Sequence, residues 1–583
     1  MFPLHEPLDD AQREVLRDYD DLLAALLARR GVATREDAEQ FLNPSYDLHL
    51  HDPLTMTGMR KAAQRLADAI LAGEKIAVWS DYDCDGIPGA VVLHDFLQKV
   101  GADFENYIPH RHAEGYGMNI QGIEKLATGG TKLIITVDSG ITDLEPVARA
   151  RELGMEVIVT DHHLPLQNEN GGFILPNAFA VIDAHARVDE PYPFHELCGA
   201  GVAWKLVCAT LPRLRSEQVA RGQEPLPKGW EKWLLDMVAL ATVADMVPLT
   251  SENRVLTTYG LIVMRKSPRI GLQKLCRVTR VDQRSLTEDD IGFMLAPRVN
   301  AASRMGDARD AFRLFTTTDE DEADALAKKL EAANRSRKAE AGAITRAVRS
   351  RLKDRAEIRS VIALGDPEWR PALLGLVAGG IADEYERPVF LWGREGNMRL
   401  KGSMRSGGRT HALDLMRAAE DTFAEFGGHA AAGGFSLLDD AVFDLEDRLV
   451  AANARLTPIA DSLIARADAS IALHEATESF LKKIEKLAPF GMQNSKPVFL
   501  LRDVLVREVS RFGKSEEHLK LKIGGDETNA TIDAVTFFAK GALAHEATRL
   551  AINDRAHLLV HLERDTFRRG SPVRLRLIDI KAT

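Results

Sequence analysis

Short apolar runs alternate with helical stretches between residues 75 and 185. The runs cover residues 76–79, 104–108, 133–137 and 157–160. Each is rich in Val and Ile or aromatic residues and is followed by polar residues or Gly, which is typical of strands buried on both faces of a parallel sheet. Such sheets bind ligands at the carboxyl ends of their strands. Three of the four runs lead into an aspartate at that end: Asp81, Asp138 and Asp161.

The pattern of the whole chain predicts five segments. Residues 1–74 are polar and helical, 75–316 form an α/β domain whose second half is helical, and 317–356 form one long helix. Residues 357–460 return to α/β alternation with many glycines, and 461–583 alternate apolar and polar residues as a small β-barrel does. The long helix opens acidic and ends basic, which complements the helix dipole, and it would be about 55 Å long.

The charge of the chain bears on its partners. The net charge is −11, which argues mildly against a nucleic-acid partner because Lys and Arg drive phosphate binding. The charge is uneven, however, since residues 394–411 carry a local charge of +4 and residues 563–581 one of +3. An acidic protein can still hold a basic groove, although either run alone is equally well explained as a solvated surface.

Membrane and disulfide chemistry are not indicated. No stretch approaches the ~20 apolar residues of a membrane helix, and residues 1–10 lack the basic-then-apolar pattern of a signal peptide. We therefore expect a cytoplasmic protein with no membrane partner. The four cysteines form no CxxC pair, so the sequence indicates neither a zinc knuckle nor a disulfide framework.

The first candidate site is the motif Asp81-Tyr82-Asp83-Cys84-Asp85-Gly86, directly after the first apolar run. Its three carboxylates repel one another unless a cation neutralises them, and Gly86 permits the turn into a helix. A calcium loop of the EF-hand type would need Glu at its twelfth position. That position is Val92, so the calcium interpretation is excluded.

Other acidic and histidine residues follow at Asp138, at Asp161-His162-His163 and at Asp245. A single Asp after a strand is most often a helix N-cap, and a lone His pair is more often part of the core or surface than a ligand pair. Three such turns at one edge of one sheet are hard to explain in that way. Mixed carboxylate and imidazole ligands suit Mn²⁺, with Mg²⁺ as the alternative. Five or six such ligands predict two ions about 3.5–4 Å apart, an arrangement suited to phosphate-ester hydrolysis.

The two motifs at 81–86 and 161–163 together resemble the DHH phosphoesterase superfamily. Nearly the whole chain resembles one of its families, the bacterial RecJ exonucleases, through residues 41–44, 51–53, 298–304, 401–406, 427–434 and 489–497. The resemblance implies an α/β fold: an N-terminal helical segment (1–74), a DHH catalytic domain with a parallel sheet (75–316), a long connecting helix (317–356), a second α/β domain of the DHHA1 type (357–460) and a C-terminal OB-fold β-barrel (461–583).

The resemblance also implies a set of metal ligands. They are Asp81, Asp83, Asp85, Asp138, His162 and Asp245. Asp138 would bridge two ions, and Asp85, His162 and Asp245 would complete one of the two sites. Asp83, together with Asp81, would hold the other ion.

Two positions affect how that centre would work. Many superfamily members have a His where this chain has Trp79, so the second ion would either bind more weakly or depend on Asp81. By resemblance, His163 would contact the scissile phosphate, and His163 and Asp81 are the candidate catalytic residues for acid–base or electrostatic support.

Residues from two segments would contact DNA by resemblance. Arg111 would bind a phosphate, and Tyr116 would stack on a base without regard to sequence, although simple packing of Tyr116 is an equal alternative. Arg298, Asn300 and Arg304 would also touch DNA. Ser303 stands where the family usually has Gly, which makes close backbone approach there less favourable.

The glycine-rich segments have a physical rationale of their own. Gly427-Gly428 and Gly433-Gly434 let backbone N–H groups approach a phosphate closely. Candidate phosphate-binding residues around them are Ser403, Arg405, Gly428 and His429. Arg405 can bind phosphate in a bidentate manner, while structural turns are the alternative explanation for the glycines.

The favoured function is a metal-dependent 5′→3′ exonuclease that degrades single-stranded DNA to 5′-mononucleotides in repair and recombination. The resemblance implies single-strand-binding protein and a RecQ-type helicase as further partners, and we expect a monomer. Two other functions stay open. One is a DHH enzyme for short oligonucleotides, cyclic dinucleotides or pyrophosphate, against which the C-terminal barrel argues. The other is a non-catalytic subunit, against which the nearly full ligand set argues.

Overall fold

The computed structural model describes residues 2–186, 192–394, 399–408, 410–438, 440–457, 466–513, 516–525, 531–539, 541–565, 568 and 572–583. The chain begins with the helices α1 (Asp10–Val15), α2 (Asp21–Ala28), α3 (Arg35–Leu42) and α4 (Met59–Ala72). Asp20 and Thr34 cap α2 and α3 by accepting backbone N–H groups. The apolar faces of α2 and α3 pack with Leu487 from the far end of the sequence.

The first sheet follows. Its elements are β1 (Ile76–Ser80), α5 (Gly86–Val100), β2 (Phe104–Tyr107), α6 (Ile120–Thr128), β3 (Leu133–Val137), α7 (Leu144–Glu152), β4 (Glu156–Thr160), the hairpin strands β5 (Leu166–Gln167) and β6 (Phe173–Ile174), and β7 (Ala180–Ile182). The strands lie in the order β2-β1-β3-β4-β7 and are parallel. The predicted parallel α/β sheet is therefore confirmed.

Strand β1 shows why its sequence is apolar without interruption. Ile76 and Val78 pack into the large core on one face of the sheet, whereas Ala77 and Trp79 pack into a second core on the other face. Helices cover both faces, so neither set of alternate side chains meets water. Because both faces are buried, the position of the strand within the sheet is fixed, and its carboxyl end lies at a defined edge of the sheet.

A helical region follows the sheet, as predicted for residues 186–316. It contains α8 (Gly199–Ala220), α9 (Leu235–Ala244), α10 (Ser251–Met264), α11 (Ile270–Thr279), α12 (Ala296–Met305) and α13 (Arg309–Thr316). A π-helical segment, Asp290–Leu295, precedes α12. These helices bury their apolar residues in the same core as one face of the sheet.

The long helix α14 (Glu320–Lys353) lies within the segment predicted for it, starting and ending three residues inside the predicted limits. Asp319 caps it by accepting the Glu322 N–H at 2.8 Å. Its first half places Leu326 and Leu330 in the first core, and its second half places Val348 and Leu352 in a separate core. The helix therefore connects two separately packed units.

The second α/β unit contains β8 (Ile362–Gly365), α15 (Pro371–Tyr385), β9 (Val389–Gly393), β10 (Lys401–Arg405), α16 (Ala412–Arg417), β11 (Phe423–Gly428), β12 (Ala432–Leu437) and α17 (Leu445–Asn453). The strand order is β11-β12-β10-β9-β8. The β8–β9 pair is parallel and the other pairs are antiparallel. The glycine-rich β11 and β12 form one end of this mixed sheet.

The C-terminal unit is the expected small barrel. Its elements are β13 (Ala469–Ile471), α18 (Glu478–Glu485), β14 (Phe499–Phe512), β15 (His518–Gly524), β16 (Thr531–Thr536), α19 (Gly541–Arg549), β17 (Arg555–Arg564) and β18 (Val573–Ala582). The order β14-β15-β16-β18-β17 closes through a β14–β17 pairing. Within the described parts of the chain, no helix combines the length and the apolar character needed to cross a bilayer.

Candidate metal centre and active site

Three aspartates lie side by side at the carboxyl edge of the first sheet. The backbone N–H of Asp81 donates to Val137 O at 3.1 Å, that of Asp138 to Thr160 O at 3.1 Å, and that of Asp161 to Ile182 O at 3.1 Å. Each aspartate therefore extends the hydrogen-bond ladder of the sheet by one step beyond its strand.

The turn after β1 is tightened by its own side chains. Asp83 Oδ1 accepts the N–H groups of Asp85 and Gly86 at 2.8 and 3.2 Å, at the start of α5. A Cβ added to Gly86 would lie 2.4 Å from Asp81 O, so a side chain at this position would collide with backbone. The predicted role of Gly86 in this turn is thus explained by steric contact.

Asp85 lies against the first turn of α8. The N–H groups of Gly199 and Ala200 donate to its two carboxylate oxygens at 2.6 and 2.8 Å. The positive end of the helix dipole therefore faces a buried carboxylate. Neither donor was predicted from the sequence. The signal was the run Cys198-Gly199-Ala200-Gly201, whose small residues allow a helix terminus to approach the site closely.

His162 lies at the centre of the candidate ligands. Its Nε2 is 3.1 Å from Asp138 Oδ1, 3.6 Å from Asp85 Oδ2 and 3.7 Å from Asp245 Oδ2. Residues from distant parts of the chain thus meet around one imidazole nitrogen. The structure brings together the residues that were proposed from the sequence as ligands.

His163 is held differently, by Asp161. Its Nδ1 lies 2.8 Å from Asp161 Oδ1, and the other Asp161 oxygen accepts the Ile141 N–H at 3.0 Å. Burial alone would lower the pKa of His163, but the hydrogen bond and charge of Asp161 raise it to about 9. The buried Asp161 carboxylate therefore favours the protonated form of His163.

The carboxylates of the site are crowded and poorly solvated. Burial, together with the nearby charges of Asp85 and Asp83, raises the pKa of Asp138 well above its ordinary value. Burial and the charge of Asp85 raise the pKa of Asp245 to about 8, and burial and Asp83 raise that of Asp81. Like charges held together in this way are stabilised by a bound cation.

The donor atoms fit divalent cations. Ligand atoms lie within 4.8 Å of one another in three groups: Asp138, His162 and His163; Asp85, His162 and Asp245; and Asp81, Asp83 and Asp138. Asp81 Oδ1 is buried without a hydrogen-bond partner, which is costly unless another group satisfies it. Asp138 and His162 each belong to two of the groups, and Asp138 is the carboxylate that the groups share.

Trp79 takes no part in this cluster. It is fully buried, and its ring stacks on Tyr107 with centroids 4.1 Å apart. The indole therefore belongs to the core on the other face of the sheet, and Asp81 is the residue from this strand end that reaches the candidate centre.

Asp245 reaches the centre from a helix end and not from the sheet. It follows the last turn of α9, and Met246 after it has a left-handed backbone with φ +61°. The turn is supported from outside: the Leu249 N–H donates to Met492 O at 2.9 Å, and Asn253 Nδ2 donates to Pro248 O at 3.0 Å. The segment between α18 and β14 of the C-terminal unit thus contacts the turn that carries a candidate ligand.

An open cleft of about 540 Å³ lies between the first and second α/β units. On one side it is lined by Tyr82, Arg111, His112, Gly115 and Tyr116, and on the other by Pro371, Ala372, Arg399, Lys401, Gly402, Glu425, Phe426, Gly427, Gly434, Phe435 and Ser436. Arg111 and Tyr116, both predicted to contact DNA, are in this lining. Arg399 and Lys401 belong to the basic run noted in the sequence but were not predicted individually.

The three residues predicted on α12 have separate positions. Asn300 Oδ1 accepts the Cys84 N–H at 3.1 Å and so supports the acidic turn. Arg304 donates to Ala372 O at 2.7 Å, and burial followed by the nearby charge of Arg111 lowers its pKa to about 10. Arg298 is only 6% exposed and pairs with Glu331 of α14 at 2.9 Å. The structure gives no support to a DNA contact by Arg298, because its charge is already neutralised inside the protein.

The predicted phosphate-binding residues of the second unit lie on β10 and at the β11–β12 turn. Ser403 and Arg405 lie near Gly375 of α15, where an added Cβ would be 2.8 Å from an Arg405 terminal nitrogen. Gly428 and His429 are exposed at the β11–β12 turn and are not in the cleft lining, whereas the neighbouring Gly427 and Gly434 are.

The basic run at 563–581 is largely paired within the barrel. Arg564 binds Glu478 and Glu485, and Arg574 binds Glu563 and Asp565. Its positive charge is therefore less available to DNA than the sequence suggested. Glu395 and Arg409 of the other basic run and Arg569 of this one lie outside the described residues.

The fold and the site define a DHH-type protein. The model of the DHH family, N-terminal domain, matches residues 75–242, and that of the DHHA1 domain matches residues 358–456. The model of the RecJ OB domain matches residues 467–579.

Full-length comparisons give the family. The chain is 31% identical to the single-stranded-DNA-specific exonuclease RecJ of Escherichia coli over 92% of each chain. It is 34% identical to the corresponding RecJ of Bacillus subtilis over 88% of this chain, and spans 63% of that relative's length. The chain belongs to the RecJ family, and the resemblance noted from the sequence is confirmed.

Solved structures agree. The crystal structure of RecJ from Thermus thermophilus in complex with Mn²⁺ covers 99% of this chain and is itself covered to 78%, with a TM-score of 0.77 and 28% identity. A second structure, of exonuclease RecJ bound to manganese, covers 69% of this chain and is itself covered to 96%, with a TM-score of 0.57 and 33% identity.

Proposed function

We propose that the protein is a metal-dependent 5′→3′ exonuclease specific for single-stranded DNA. It would hydrolyse phosphodiester bonds with two divalent ions and release 5′-mononucleotides in DNA repair and recombination. The observation that carries the proposal is the convergence of Asp85, Asp138 and Asp245 on His162 Nε2, within the fold of a family whose relatives are named single-stranded-DNA-specific exonucleases.

Manganese or magnesium suits the donor set, because both accept carboxylate oxygens and Mn²⁺ also accepts imidazole. Asp85, His162 and Asp245 would hold one ion, Asp81 and Asp83 the other, and Asp138 would contact both. The bound ions would activate a water molecule and stabilise the negative charge that develops on the phosphate. Relatives of this fold have been crystallised with Mn²⁺ and with Mg²⁺, which supports the assignment.

His163 has the properties of a phosphate-contacting residue. Its Nδ1 is engaged by Asp161, which leaves Nε2 to donate a hydrogen bond to a phosphate oxygen or to the leaving oxygen. The hydrogen bond and charge of Asp161 raise its pKa to about 9, which favours the imidazolium form. We therefore assign it electrostatic support of the phosphate and, when needed, proton donation.

The cleft between the two α/β units is the proposed path of the DNA strand near the cut. Arg111 and Lys401 line it from opposite sides and would bind successive phosphates. Gly427 and Gly434 leave open space where side chains would be, so the sugar–phosphate backbone could approach the sheet closely. A path that admits one strand but not a duplex would account for single-strand specificity, and because phosphates dominate the contacts, cleavage would not depend on sequence.

The proposal also includes the domain limits predicted from the sequence and a monomeric state. It includes single-strand-binding protein and a RecQ-type helicase as partners. These points rest on the family resemblance. They are separable from the chemistry of the site and can be tested without affecting it.

One digest tests the proposal. Strands labelled at the 5′ or the 3′ end, single or duplex, are incubated with the protein and with Mn²⁺ or EDTA, beside a labelled dinucleotide. Loss of the 5′ label from single strands, only with metal, is the expected result. Preferential cleavage of the dinucleotide would favour a small-substrate enzyme. Activity that persists in Asp138→Ala would exclude the proposed metal centre, and no cleavage by the unchanged protein would favour a non-catalytic subunit.

A further inference from the structure

The loop of residues 110–118 presents both Arg111 and Tyr116 to the cleft, and a carboxylate closes its first half. Glu114 accepts the Tyr107 hydroxyl at 2.5 Å and the His110 N–H at 2.7 Å. This half of the loop is thus tied to the end of β2, close to where the loop begins.

A second carboxylate, Asp143, holds the other half of the loop. The Met118 N–H donates to Asp143 Oδ2 at 2.8 Å. Gly117 has φ +79°, and a Cβ added there would lie 2.6 and 2.9 Å from the two Asp143 carboxylate oxygens. The carboxylate therefore packs directly on the Gly117–Met118 backbone, in space that any side chain at position 117 would fill.

Asp143 makes this contact and does not cap its own helix. It occupies the N-cap position of α7, where an Asp side chain ordinarily accepts an N–H from the first turn of its own helix. Its side chain makes no such bond. Local helix capping alone does not account for an aspartate whose carboxylate faces a different loop.

Tyr116 is the residue that this arrangement positions. Its hydroxyl donates to Asp138 O at 3.3 Å and lies 3.4 Å from His163 Nδ1. The side chain is about half exposed and lines the cleft. Two contacts therefore hold Tyr116 against the segment that follows β3. Its hydroxyl is hydrogen-bonded to Asp138, and the backbone next to it, at Gly117 and Met118, is held by Asp143.

We propose that Asp143 is a positioning residue for the reaction: by holding Gly117 and Met118 it keeps Tyr116 over Asp138 and His163 at the mouth of the cleft. For its effect on catalysis, the inference rests on the exonuclease function proposed above. The class of substrate concerned is a single DNA strand whose terminal nucleotide passes Tyr116 on its way to the metal centre.

The alternative is that Asp143 only stabilises the fold through the buried Met118. A double-mutant cycle separates the two roles, because residues that act through one another have non-additive effects. Displacing a group that orients the substrate costs about 10-fold to 100-fold in rate. We expect Asp143→Ala to lower kcat/KM by about 10-fold in the unchanged background and by less than about 2-fold in a Tyr116→Ala background. Asp143→Asn keeps an oxygen acceptor and should restore most of the activity.

Hydrogen exchange of the Met118 amide gives a readout that does not depend on nuclease activity. We expect slow exchange in the unchanged protein and in Asp143→Asn, and fast exchange in Asp143→Ala, with the exchange of the α6 amides unchanged. Asp319→Ala is the matched control. It removes an aspartate that does cap its helix, so it should lower the melting temperature without changing kcat/KM or the exchange of Met118.

Each outcome decides the inference. Unchanged Met118 exchange in Asp143→Ala, or equal losses of kcat/KM with and without Tyr116, would overturn it. If the unchanged protein failed to degrade DNA, the proposed function would fall, while the exchange experiment would still show whether Asp143 holds the loop.

Discussion

The carboxyl edge of the first sheet and the glycine-rich end of the second sheet lie beside the same cleft but are built in opposite ways. At the first, Asp81 and Asp138 are buried and their backbones continue the strand ladder. At the second, Gly427 and Gly434 have open space beyond their Cα atoms. The comparison shows two kinds of surface: buried carboxylates that concentrate negative charge, and an open backbone surface that the proposed DNA path would use.

The largest effect is expected at the rigid edge, from Asp138→Asn. Because Asp138 belongs to two of the three groups of ligand atoms, its loss should lower kcat by about 10³-fold or more. A single-strand digest in Mn²⁺ measures this. Asp183→Asn is the control, since Asp183 is a buried carboxylate at the end of β7 and belongs to none of the ligand groups found among the described residues. Equal losses in both variants would contradict the special role of Asp138.

A pair of glycine substitutions compares the two surfaces directly. Gly86→Ala would place a methyl group 2.4 Å from Asp81 O, so we expect it to destabilise the protein by about 3 kcal/mol. Gly434→Ala meets nothing within 4 Å and should leave the free energy of unfolding unchanged while raising KM. Denaturant unfolding and steady-state kinetics measure both. A stability loss in Gly434→Ala would show that the open surface is in fact packed.

Metal should stabilise the rigid edge specifically. A ligand present at 100 times its Kd adds about 2.7 kcal/mol to the stability of the state that binds it. Mn²⁺ added to EDTA-treated protein should therefore raise the melting temperature of the first unit by several degrees, on the order of 5–10 °C for a unit of this size. Thermal unfolding of the unchanged protein and of Asp138→Asn measures this, and an equal shift in both would mean that the ion binds elsewhere.

The smallest effect is expected at the open surface, from Lys401→Ala. Loss of one phosphate contact should raise KM by about 10-fold and reduce its dependence on salt, with little change in kcat. Arg298→Met is the contrast, because Arg298 is buried and paired with Glu331. It should lower stability and leave the salt dependence of KM unchanged. If the salt dependence of KM changed in Arg298→Met and not in Lys401→Ala, Arg298 would contact DNA and Lys401 would not.

The rigid edge could be predicted from the sequence to a large extent. Runs of Val and Ile followed by Asp identify buried strands and their polar ends, and the parallel arrangement places those ends together, so the pattern alone groups Asp81, Asp138 and His162. Asp245 was also a candidate, but the strand pattern could not group it with the others, because it lies at the end of a helix and its turn contacts Met492; the family resemblance assigned it to the centre. The open surface was predicted less well: its glycines were identified, but Arg399 and Lys401 were not singled out.

The sequence by itself determined the sheet, the long helix, the barrel and the chemistry of the ligands, because period-two and helical patterns and the spacing of acidic residues are local properties of the chain. Tertiary structure alone decided which positively charged side chains are paired with carboxylates inside the protein and which line the cleft. Arg298, Arg564 and Arg574 have the same charge as Arg111, but they are paired inside the protein, whereas Arg111 lines the cleft. The contacts of Gly199 and Ala200 with Asp85 were decided in the same way, because only folding brings these residues within hydrogen-bond distance. The contact of Asp143 with the Met118 N–H is likewise not encoded in the local sequence.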